Sequence, residues 1–140
     1  MDKIYLCDID GTIADHKGIR GPFEEHKVLL DKPLPTINLI NSLLATGNRI
    51  IFFSGRSEKC REDTCKWLYR ELDCGEYPEL YMRQFKDMRS DDIVKEEMYN
   101  THIKDKYEVI GVFDDRLKVC RMWYKLGLFV FNCNQGLIEF

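Results

Sequence analysis

The stretch Lys3-Ile4-Tyr5-Leu6-Cys7-Asp8-Ile9-Asp10-Gly11-Thr12 decides the fold of this chain of 140 residues. Its first half is mostly apolar and contains β-branched and aromatic side chains, a pattern typical of a buried strand. Its second half is acidic and begins where that strand is predicted to end. In open α/β sheets, ligands bind outside the carboxyl ends of the strands. The sequence therefore predicts a ligand site at the end of the first strand.

The two acids Asp8 and Asp10 are expected to face one small volume, because side chains at positions i and i+2 of a strand point to the same side. Two carboxylates that close repel each other and need a divalent cation or a proton between them. Gly11 allows a sharp backbone turn, and the Thr12 hydroxyl can bond back to the loop or to Asp10. The alternative is an acidic turn that follows a strand and has no function.

Apolar runs and amphipathic stretches alternate along the chain. Strands are predicted at residues 3–7, 49–53, 79–82, 108–113 and 128–131. Helices are predicted from a Thr36 N-cap to Gly47, around residues 65–72, from a Ser90 cap to about His102, and from Leu117 to Gly127. The segment 11–35 is rich in Gly and Pro and is expected to hold little regular structure. This order predicts an α/β fold: a doubly wound, Rossmann-like parallel sheet of about five strands with helices on both faces.

The composition describes one soluble globular domain, which we assign to residues 1–140. Hydrophobic residues make up 44% and charged residues 32% of the chain. The net charge of −3 neither demands nor excludes a nucleic-acid partner, because a local basic groove can lie on an acidic protein. No apolar stretch approaches membrane-spanning length, and the N-terminus lacks the pattern of a secretory signal. We therefore expect a cytoplasmic protein without membrane association.

The cysteines are expected to be reduced thiols that mostly fill the core, because the chain carries no export signal. None of them stands at the spacing of a zinc site. The six cysteines are Cys7, Cys60, Cys65, Cys74, Cys120 and Cys133.

Two polar motifs follow other predicted elements on the same rim of the sheet. Ser54-Gly55-Arg56 comes after the second strand, where a hydroxyl and several backbone N–H groups suit an anion; the alternative is an ordinary N-cap turn. Asp91 and Lys95 are spaced i, i+4 on the third helix. They form either a surface ion pair or a fixed cation, Lys95, that is oriented by Asp91 and neutralises a carboxylate or a phosphate.

A pair of adjacent acids, Asp114-Asp115, ends the fourth predicted strand and is followed by Arg116. A hard cation with oxygen ligands accounts for such a pair, and the alternative is favourable acidic charge at a helix N-terminus. The rim residues together suit phosphoryl transfer to an aspartate, assisted by magnesium.

The same residues resemble a known family. Asp8-x-Asp10-Gly11-Thr12, Ser54-Gly55, Lys95 and Asp114-Asp115 resemble, in order, the four motifs of haloacid dehalogenase (HAD) superfamily phosphatases. Longer stretches resemble the 3′-phosphatase domain of T-even phage polynucleotide kinases, which implies a phage or bacterial origin. These stretches are Gly18-Ile19-Arg20-Gly21-Pro22-Phe23, Ser54-Gly55-Arg56, Asp87-x-Arg89-x-Asp91-Asp92-x-Val94-Lys95-Glu96-Glu97, and Asp114-Asp115-Arg116 with Met122-Trp123.

The resemblance implies a role for each motif residue in removing a 3′-phosphate from DNA or RNA ends. Asp8 would be the nucleophile, and Asp10 would protonate the leaving oxygen and then activate water. The implied Mg²⁺ ligands are Asp8, the Asp10 carbonyl, Asp114 and Asp115. Asp91 would position Lys95, while Arg20 and Arg56 would be further functional arginines in the same site. The candidate phosphate- and substrate-binding residues are Thr12, Arg20, Ser54, Gly55, Arg56, Arg83, Asp91 and Lys95.

Two departures from the phage pattern matter. The chain contains no P-loop motif, so 5′-kinase activity should be absent, and a separate kinase or ligase is a candidate partner. The arginine of the first loop lies in Gly18-Ile19-Arg20-Gly21, where the family has Gly-Arg-Gly.

The segments that could cover the site are short, so we expect minimal or no cap domain and an open site, which suits a polynucleotide end. Tyr81 and Phe85 could stack a base, although Tyr81 fits a core position equally well. Cations near the third and fourth motifs could contact backbone phosphates, and the last four equally suit a solvated helix face. They are Arg83, Lys86, Arg89, Arg116, Lys118, Arg121 and Lys125.

Two other functions remain open on the sequence. One is a HAD-type nucleotidase that acts on free mononucleotides. The other is a non-catalytic phospho-receiver or binding module, which needs only the first aspartate, an acidic pair and a lysine. Asp10, followed by Gly11-Thr12, argues for hydrolysis because it supplies a general acid and base. The sequence leaves open whether the protein forms a homo-oligomer.

Overall fold

The computed structural model describes residues 1–73 and 75–140. Its centre is a five-stranded sheet in the order β5-β4-β1-β6-β7, in which all neighbouring strands are parallel. The strands are β1 (Asp2–Cys7), β4 (Arg49–Ser57), β5 (Glu79–Arg83), β6 (Tyr107–Asp114) and β7 (Val130–Asn132). Helices α1 (Thr36–Ala45), α2 (Arg61–Glu71), α3 (Asp91–His102) and α4 (Leu117–Lys125) connect them. The predicted doubly wound α/β fold is confirmed.

Alternation along the strands explains why helices cover both faces of the sheet. In β1, Ile4 and Leu6 belong to one apolar cluster, which also contains buried side chains of α3 and α4. Cys7 belongs to the other cluster, with buried side chains of α1 and α2. In β4, Ile51 and Phe53 alternate in the same way with Ile50 and Phe52. Each face therefore carries two helices and an apolar core of its own.

The first strand lies at the middle of the sheet, between β4 and β6. The chain winds from β1 to one side of the sheet through β4 and β5, and then crosses to the other side through β6 and β7. A reversal of this kind opens a crevice at the carboxyl end of the central strand. Asp8 follows β1 at this crevice, where we expected the ligand site.

Two short segments rise above the carboxyl edge of the sheet. After β1, the chain forms an antiparallel ribbon of β2 (Ala14–Asp15) and β3 (Lys32–Pro33) around a 3-10 turn at Glu25–Leu30. Seven residues, 84–90, join β5 to α3. Neither segment is large enough for a cap domain, as the sequence predicts.

Some local expectations were wrong. The second strand continues to Ser57 and does not end at Phe53, so Ser54-Gly55-Arg56 lie within β4 and not in a strand-to-helix turn. Its pairing with β5 is irregular between Ser54 and Ser57. A bulge of this kind leaves residues unpaired and re-aims their side chains, which suits the end of a strand next to a site.

Helix ends and the last strand also differ from expectation. Pro35, and not Thr36, is the N-cap residue of α1. Ser90 is the N-cap residue of α3, but its hydroxyl donates to Asp92 and caps no backbone N–H. The last strand begins at Val130, two residues later than predicted, although the carbonyl of Phe129 already accepts a hydrogen bond from the N–H of Val112.

The five cysteines in the described part of the chain are free thiols, and Cys74 lies outside it. Among residues 1–73 and 75–140, none of the helices combines the length and the apolar character that crossing a bilayer requires.

Candidate active site

Three carboxylates converge at the carboxyl ends of β1 and β6. One oxygen each of Asp8, Asp114 and Asp115 lies within 4.8 Å of the other two. The ammonium group of Lys95, which α3 brings to the same place, donates to Asp8 Oδ1 at 2.8 Å and to Asp114 Oδ2 at 2.9 Å. The Thr12 hydroxyl donates to Asp8 Oδ2 at 2.9 Å. The structure thus brings together residues that lie as far apart in sequence as Asp8 and Asp115.

Burial and mutual repulsion make it costly to ionise all three carboxylates of this cluster together, even with Lys95 beside them. Burial, together with the charge of Asp114, raises the pKa of Asp8 well above its ordinary value, against the opposing charge of Lys95. Burial and Asp114 also raise the pKa of Asp115. Although burial opposes it, the charges of Asp114 and Asp8 raise the pKa of Lys95, so its ammonium group stays charged. One cation therefore faces three acids.

The donor set fits a hard divalent cation. Carboxylate oxygens are the ligands that Mg²⁺ prefers, and a dication would balance the charge that Lys95 leaves over. Asp114 is held in place by Trp123 Nε1 at 3.2 Å and by the backbone N–H of Asp115 at 2.9 Å. Gly11 has φ +78°, and a Cβ atom there would lie 1.9 Å from Asp115 Oδ2. Only glycine lets the turn after β1 pass so close to the acid.

The second aspartate of the first motif lies beside the carboxylate cluster but is turned to different partners. Asp10 accepts from Arg56 at 2.7 and 2.9 Å and from Arg20 at 3.2 Å. Both arginines also bind Asp31, Arg20 at 2.8 and 2.9 Å and Arg56 at 2.8 Å. The side-chain carboxylate of Asp10 is therefore engaged by arginines and does not belong to the cluster of Asp8, Asp114 and Asp115.

The arginines set the charge state of Asp10. Although burial raises it, the hydrogen bonds and charges of Arg56 and Arg20 hold the pKa of Asp10 below its usual range. Asp10 is therefore ionised at neutral pH, and its orientation is fixed by two buried guanidinium groups. The predicted phosphate-binding arginines Arg20 and Arg56 thus lie in the site but point their donors at Asp10 and Asp31.

Asp31 is a site residue that sequence reasoning missed. Its side chain is fully buried, and its carbonyl accepts from Trp67 Nε1 at 2.8 Å. Arg56 also donates to the Thr64 hydroxyl at 3.1 Å, which anchors the network on α2. An isolated acid in an irregular loop carries no sequence pattern, so no signal in a single chain could have singled it out.

The Ser54-Gly55-Arg56 segment lies at the end of β4 next to α3. Ser54 is buried, and its hydroxyl accepts from the backbone N–H of Arg56 at 3.0 Å. A Cβ atom on Gly55 would lie 2.6 Å from Asp91 Oδ1, so a side chain there would displace the acid. The glycine allows α3 to approach β4 closely, which brings Lys95 within reach of Asp8.

Asp91 has partners other than the expected one. It accepts from Arg116 at 2.8 Å and from Arg83, and no ion pair joins it to Lys95 in the part of the chain that the structure describes. Its charge still contributes to the raised pKa of Lys95. The i, i+4 spacing predicted a direct contact, but Lys95 turns inward to the buried acids Asp8 and Asp114.

Most of the cations that were expected to meet nucleic acid are occupied by acids. Arg89 pairs with Asp87 and Glu97, both at 2.7 Å. On α4, Lys118 lies 3.6 Å from Asp92, and Arg121 pairs with Glu139 at 2.8 Å. The α4 group therefore matches the solvated helix face better than a phosphate-binding surface. Of the two candidate stacking residues, Tyr81 stacks on His102, with the ring centroids 4.0 Å apart, while Phe85 is exposed.

Known proteins match this chain over nearly its whole length. The family model for the polynucleotide kinase PNKP phosphatase domain matches residues 2–138. The chain is 37% identical, over 99% of its length, to a protein of Autographa californica nuclear polyhedrosis virus whose assigned name is bifunctional polynucleotide kinase/RNA ligase. It covers 20% of that viral protein.

Solved structures show the same fold. A chain of the Pnkp1/Rnl/Hen1 RNA repair complex superposes with a TM-score of 0.86 and 32% identity, over 99% of this chain and 44% of that one. The class C acid phosphatase from Bacillus anthracis superposes with a TM-score of 0.65 at 14% identity, over 99% of this chain and 68% of that one. The second likeness concerns the fold alone. The chain spans less than half of the repair-complex chain and a fifth of the viral relative.

The resemblance drawn from the four motifs is confirmed by these matches. The motifs end the strands and begin the helices of one continuous domain, and the family model covers that domain almost from end to end. Since the acids, the lysine and the glycines of all four motifs meet at one edge of the sheet, the chain belongs to the HAD-type phosphatase domains of the polynucleotide kinase family.

Proposed function

We propose that this protein is a magnesium-dependent polynucleotide 3′-phosphatase that works through an aspartyl-phosphate intermediate on Asp8. The observation that carries the proposal is the separation of the two acids of the first motif. Asp8 contacts Lys95 and lies in the carboxylate cluster, whereas the carboxylate of Asp10 is bound by two arginines. Two carboxylates in such different surroundings suit a nucleophile and a proton-transfer group.

In the first step, an oxygen of Asp8 would attack phosphorus, and the bond from phosphorus to the 3′-oxygen would break. Lys95 and the Ser54 hydroxyl would hold the phosphoryl oxygens. Asp10 would deliver a proton to the leaving oxygen. Because the free Asp10 is ionised, this proton must arrive with the substrate, and a phosphate monoester whose second pKa is about 6 brings one when it binds as a monoanion.

In the second step, water would attack phosphorus and release Asp8. Asp10 would accept the proton of this water, because its carboxylate is ionised and its orientation is fixed by the arginines. In this scheme Arg20 and Arg56 act as positioning residues because they donate to Asp10, and Asp31 acts through them.

The proposed Mg²⁺ would be held by Asp8, Asp114, Asp115 and the carbonyl of Asp10. It would supply positive charge against the phosphoryl group. Asp91 would act at a distance, because it holds Arg83 and Arg116 in place and adds negative charge near Lys95.

Nucleic-acid ends are the proposed substrates, and a separate kinase or ligase is a proposed partner. The name of the viral relative includes both a polynucleotide kinase and an RNA ligase, and the structural relative belongs to an RNA repair complex. The chain covers 20% of the viral relative and 44% of the repair-complex chain, so the names of these proteins describe more than the part that the chain matches.

The deciding experiment compares phosphate release from three substrates, each with Mg²⁺ and with a chelator. They are a 3′-phosphorylated oligonucleotide, a 3′-mononucleotide and a 5′-phosphorylated oligonucleotide. We expect Mg²⁺-dependent release, fastest from the first. Preference for the mononucleotide would establish the nucleotidase instead. Absence of turnover on all three would reject the phosphatase proposal in favour of a receiver or binding module.

Magnesium is also expected to stabilise the fold at neutral pH. The raised pKa values of Asp8 and Asp115 mean that their stabilising contribution is present below their ordinary pKa values and is lost as the pH rises. A cation at about a hundred times its Kd would restore roughly 2–3 kcal/mol. The increase in Tm caused by Mg²⁺ should shrink from about pH 8 to about pH 5, because protons then compete for the same oxygens.

The matched variants for this melting experiment are Asp115→Asn and Asp63→Asn. Asp115 belongs to the carboxylate cluster, whereas Asp63 lies in the first turn of α2 and is not a member of the cluster. The Mg²⁺-induced shift should be lost in the first variant and kept in the second. Equal shifts in both would place the cation elsewhere.

A further inference from the structure

Phe85 is an exposed aromatic ring at the carboxyl edge of the sheet. It lies in the segment 84–90 that joins β5 to α3, and 58% of the residue is accessible to solvent. No aromatic contact to another ring engages it in the described part of the chain. The ring follows the carboxyl end of β5, on the same edge of the sheet as the candidate active site.

The segment that carries Phe85 is tied to the active-site strand by Arg83. The guanidinium group of Arg83 donates to the carbonyl of Gly55 at 2.8 Å and to the carbonyl of Asp87 at 3.0 Å, and also to that of Arg89. Gly55 belongs to the motif that holds the candidate phosphate site. The hydrogen bond from Arg83 to Gly55 therefore ties the segment that carries Phe85 to that site.

Two ammonium groups lie against the ring. Lys59 Nζ is 5.4 Å and Lys86 Nζ is 5.6 Å from the ring centroid. Lys59 follows the Ser54-Gly55-Arg56 segment, so the two lysines approach Phe85 from different segments of the same edge. We call Lys59, Phe85 and Lys86 the Phe85 patch.

The lysines of this patch are not neutralised. Neither forms an ion pair with any residue that the structure describes, in contrast to Arg89, Arg116 and Arg121, which are all paired with acids. The exposed rings of Phe23 and Tyr124 have no cation against them within the same described residues. Free positive charge and an exposed ring therefore coincide in the Phe85 patch.

An aromatic face flanked by cations is the chemistry that binds single-stranded nucleic acid. A base stacks on the ring, while the ammonium groups contact the adjacent backbone phosphates. A protein partner would be recognised by apolar area, and the patch offers one ring among charges. The chemistry of the patch thus favours a polynucleotide as its ligand.

We propose that the Phe85 patch binds the single-stranded end of the polynucleotide substrate, with a base stacked on Phe85 and phosphates on Lys59 and Lys86. The inference rests on the proposed 3′-phosphatase function and deepens it, because it assigns the preference for a polynucleotide over a mononucleotide to three residues. A mononucleotide has no second phosphate for the lysines. Phe85, Lys59 and Lys86 would act in specificity, outside the chemical steps.

The test compares Phe85→Ala with Tyr124→Ala as the matched control. Tyr124 is an exposed aromatic residue in the last turn of α4. The ratio of kcat/KM for a 3′-phosphorylated oligonucleotide to that for p-nitrophenyl phosphate should fall about 5- to 150-fold in Phe85→Ala, mainly through KM. It should stay unchanged in Tyr124→Ala, and Phe85→Tyr should restore it.

A binding measurement separates this inference from the phosphatase function. Anisotropy of a fluorescent single-stranded oligonucleotide should report weaker binding to Phe85→Ala. The double variant Lys59→Gln/Lys86→Gln should reduce the slope of log K against log salt by about 1.4. If Phe85→Ala changed neither oligonucleotide binding nor the kcat/KM ratio, the proposed role of the Phe85 patch would be rejected. Weakened binding in a protein that releases no 3′-phosphate would retain the patch and reject the phosphatase.

Discussion

Replacing Asp8 by Asn should abolish phosphatase turnover, with a loss of at least about 10⁴-fold in kcat, while the protein stays folded. Asn keeps the shape of the side chain but has no anionic oxygen that could attack phosphorus. The fold should survive because Lys95 keeps Asp114 at 2.9 Å and Thr12 can still donate to the amide oxygen. Phosphate release under multiple-turnover conditions, together with circular dichroism, measures both properties.

Asp63→Asn is the control for the loss of one negative charge, since Asp63 lies on α2 outside the carboxylate cluster. It should retain full activity. A folded Asp8→Asn protein that still turned over would show that no aspartyl-phosphate forms on Asp8. Trapping of ³²P on the wild-type protein, and its absence from Asp8→Asn, would identify the covalent intermediate directly.

Replacing Asp31 by Asn should cause the largest loss of stability. Asp31 accepts three hydrogen bonds from Arg20 and Arg56, and its side chain is fully buried. Removing its charge leaves two buried guanidinium groups with Asp10 as their remaining acid. Breaking a buried ion pair in this way costs about 3–5 kcal/mol, which corresponds to a decrease in Tm of roughly 10 °C.

Glu79→Gln tests whether this effect depends on burial. Glu79 accepts from Arg49 at 2.7 Å in an equally close pair, but both side chains are exposed. Its removal should change the free energy of unfolding by less than about 1 kcal/mol. Chemical denaturation measures both variants. A loss of similar size in the two would mean that the arginine network adds no stability specific to the buried site.

The four sequence motifs could be predicted to meet because each follows a strand or begins a helix of an α/β pattern. Periodicity is a local property, and parallel strands place their carboxyl ends at one edge. Asp8, Lys95, Asp114 and Asp115 therefore came together as expected. The extension of β4 through Ser57 was missed, because the residues of the bulge, which include Gly55 and Arg56, show no alternation of apolar and polar side chains.

Charge pairing could not be predicted in the same way. Asp91 and Lys95 have the spacing of a helix pair, yet Lys95 turns to buried acids that are 19 and 87 residues away. Arg121 on α4 looked free but is paired with Glu139, 18 residues away. The partner of a charged side chain is the nearest opposite charge in space, and that distance is set by how the elements pack.

The sequence by itself determined the class of fold, the edge that carries the site and the identity of the acids and the lysine. Apolar period and motif spacing are properties of neighbouring residues, so they can be read from one chain. Only the tertiary structure decided that Asp31 anchors Arg20 and Arg56 and that these arginines hold Asp10. It also decided that Lys59 and Lys86 lie against Phe85 with no ion pair to the residues that the structure describes. These roles depend on burial and on distances between separate segments, which exist only after the helices have packed on the sheet.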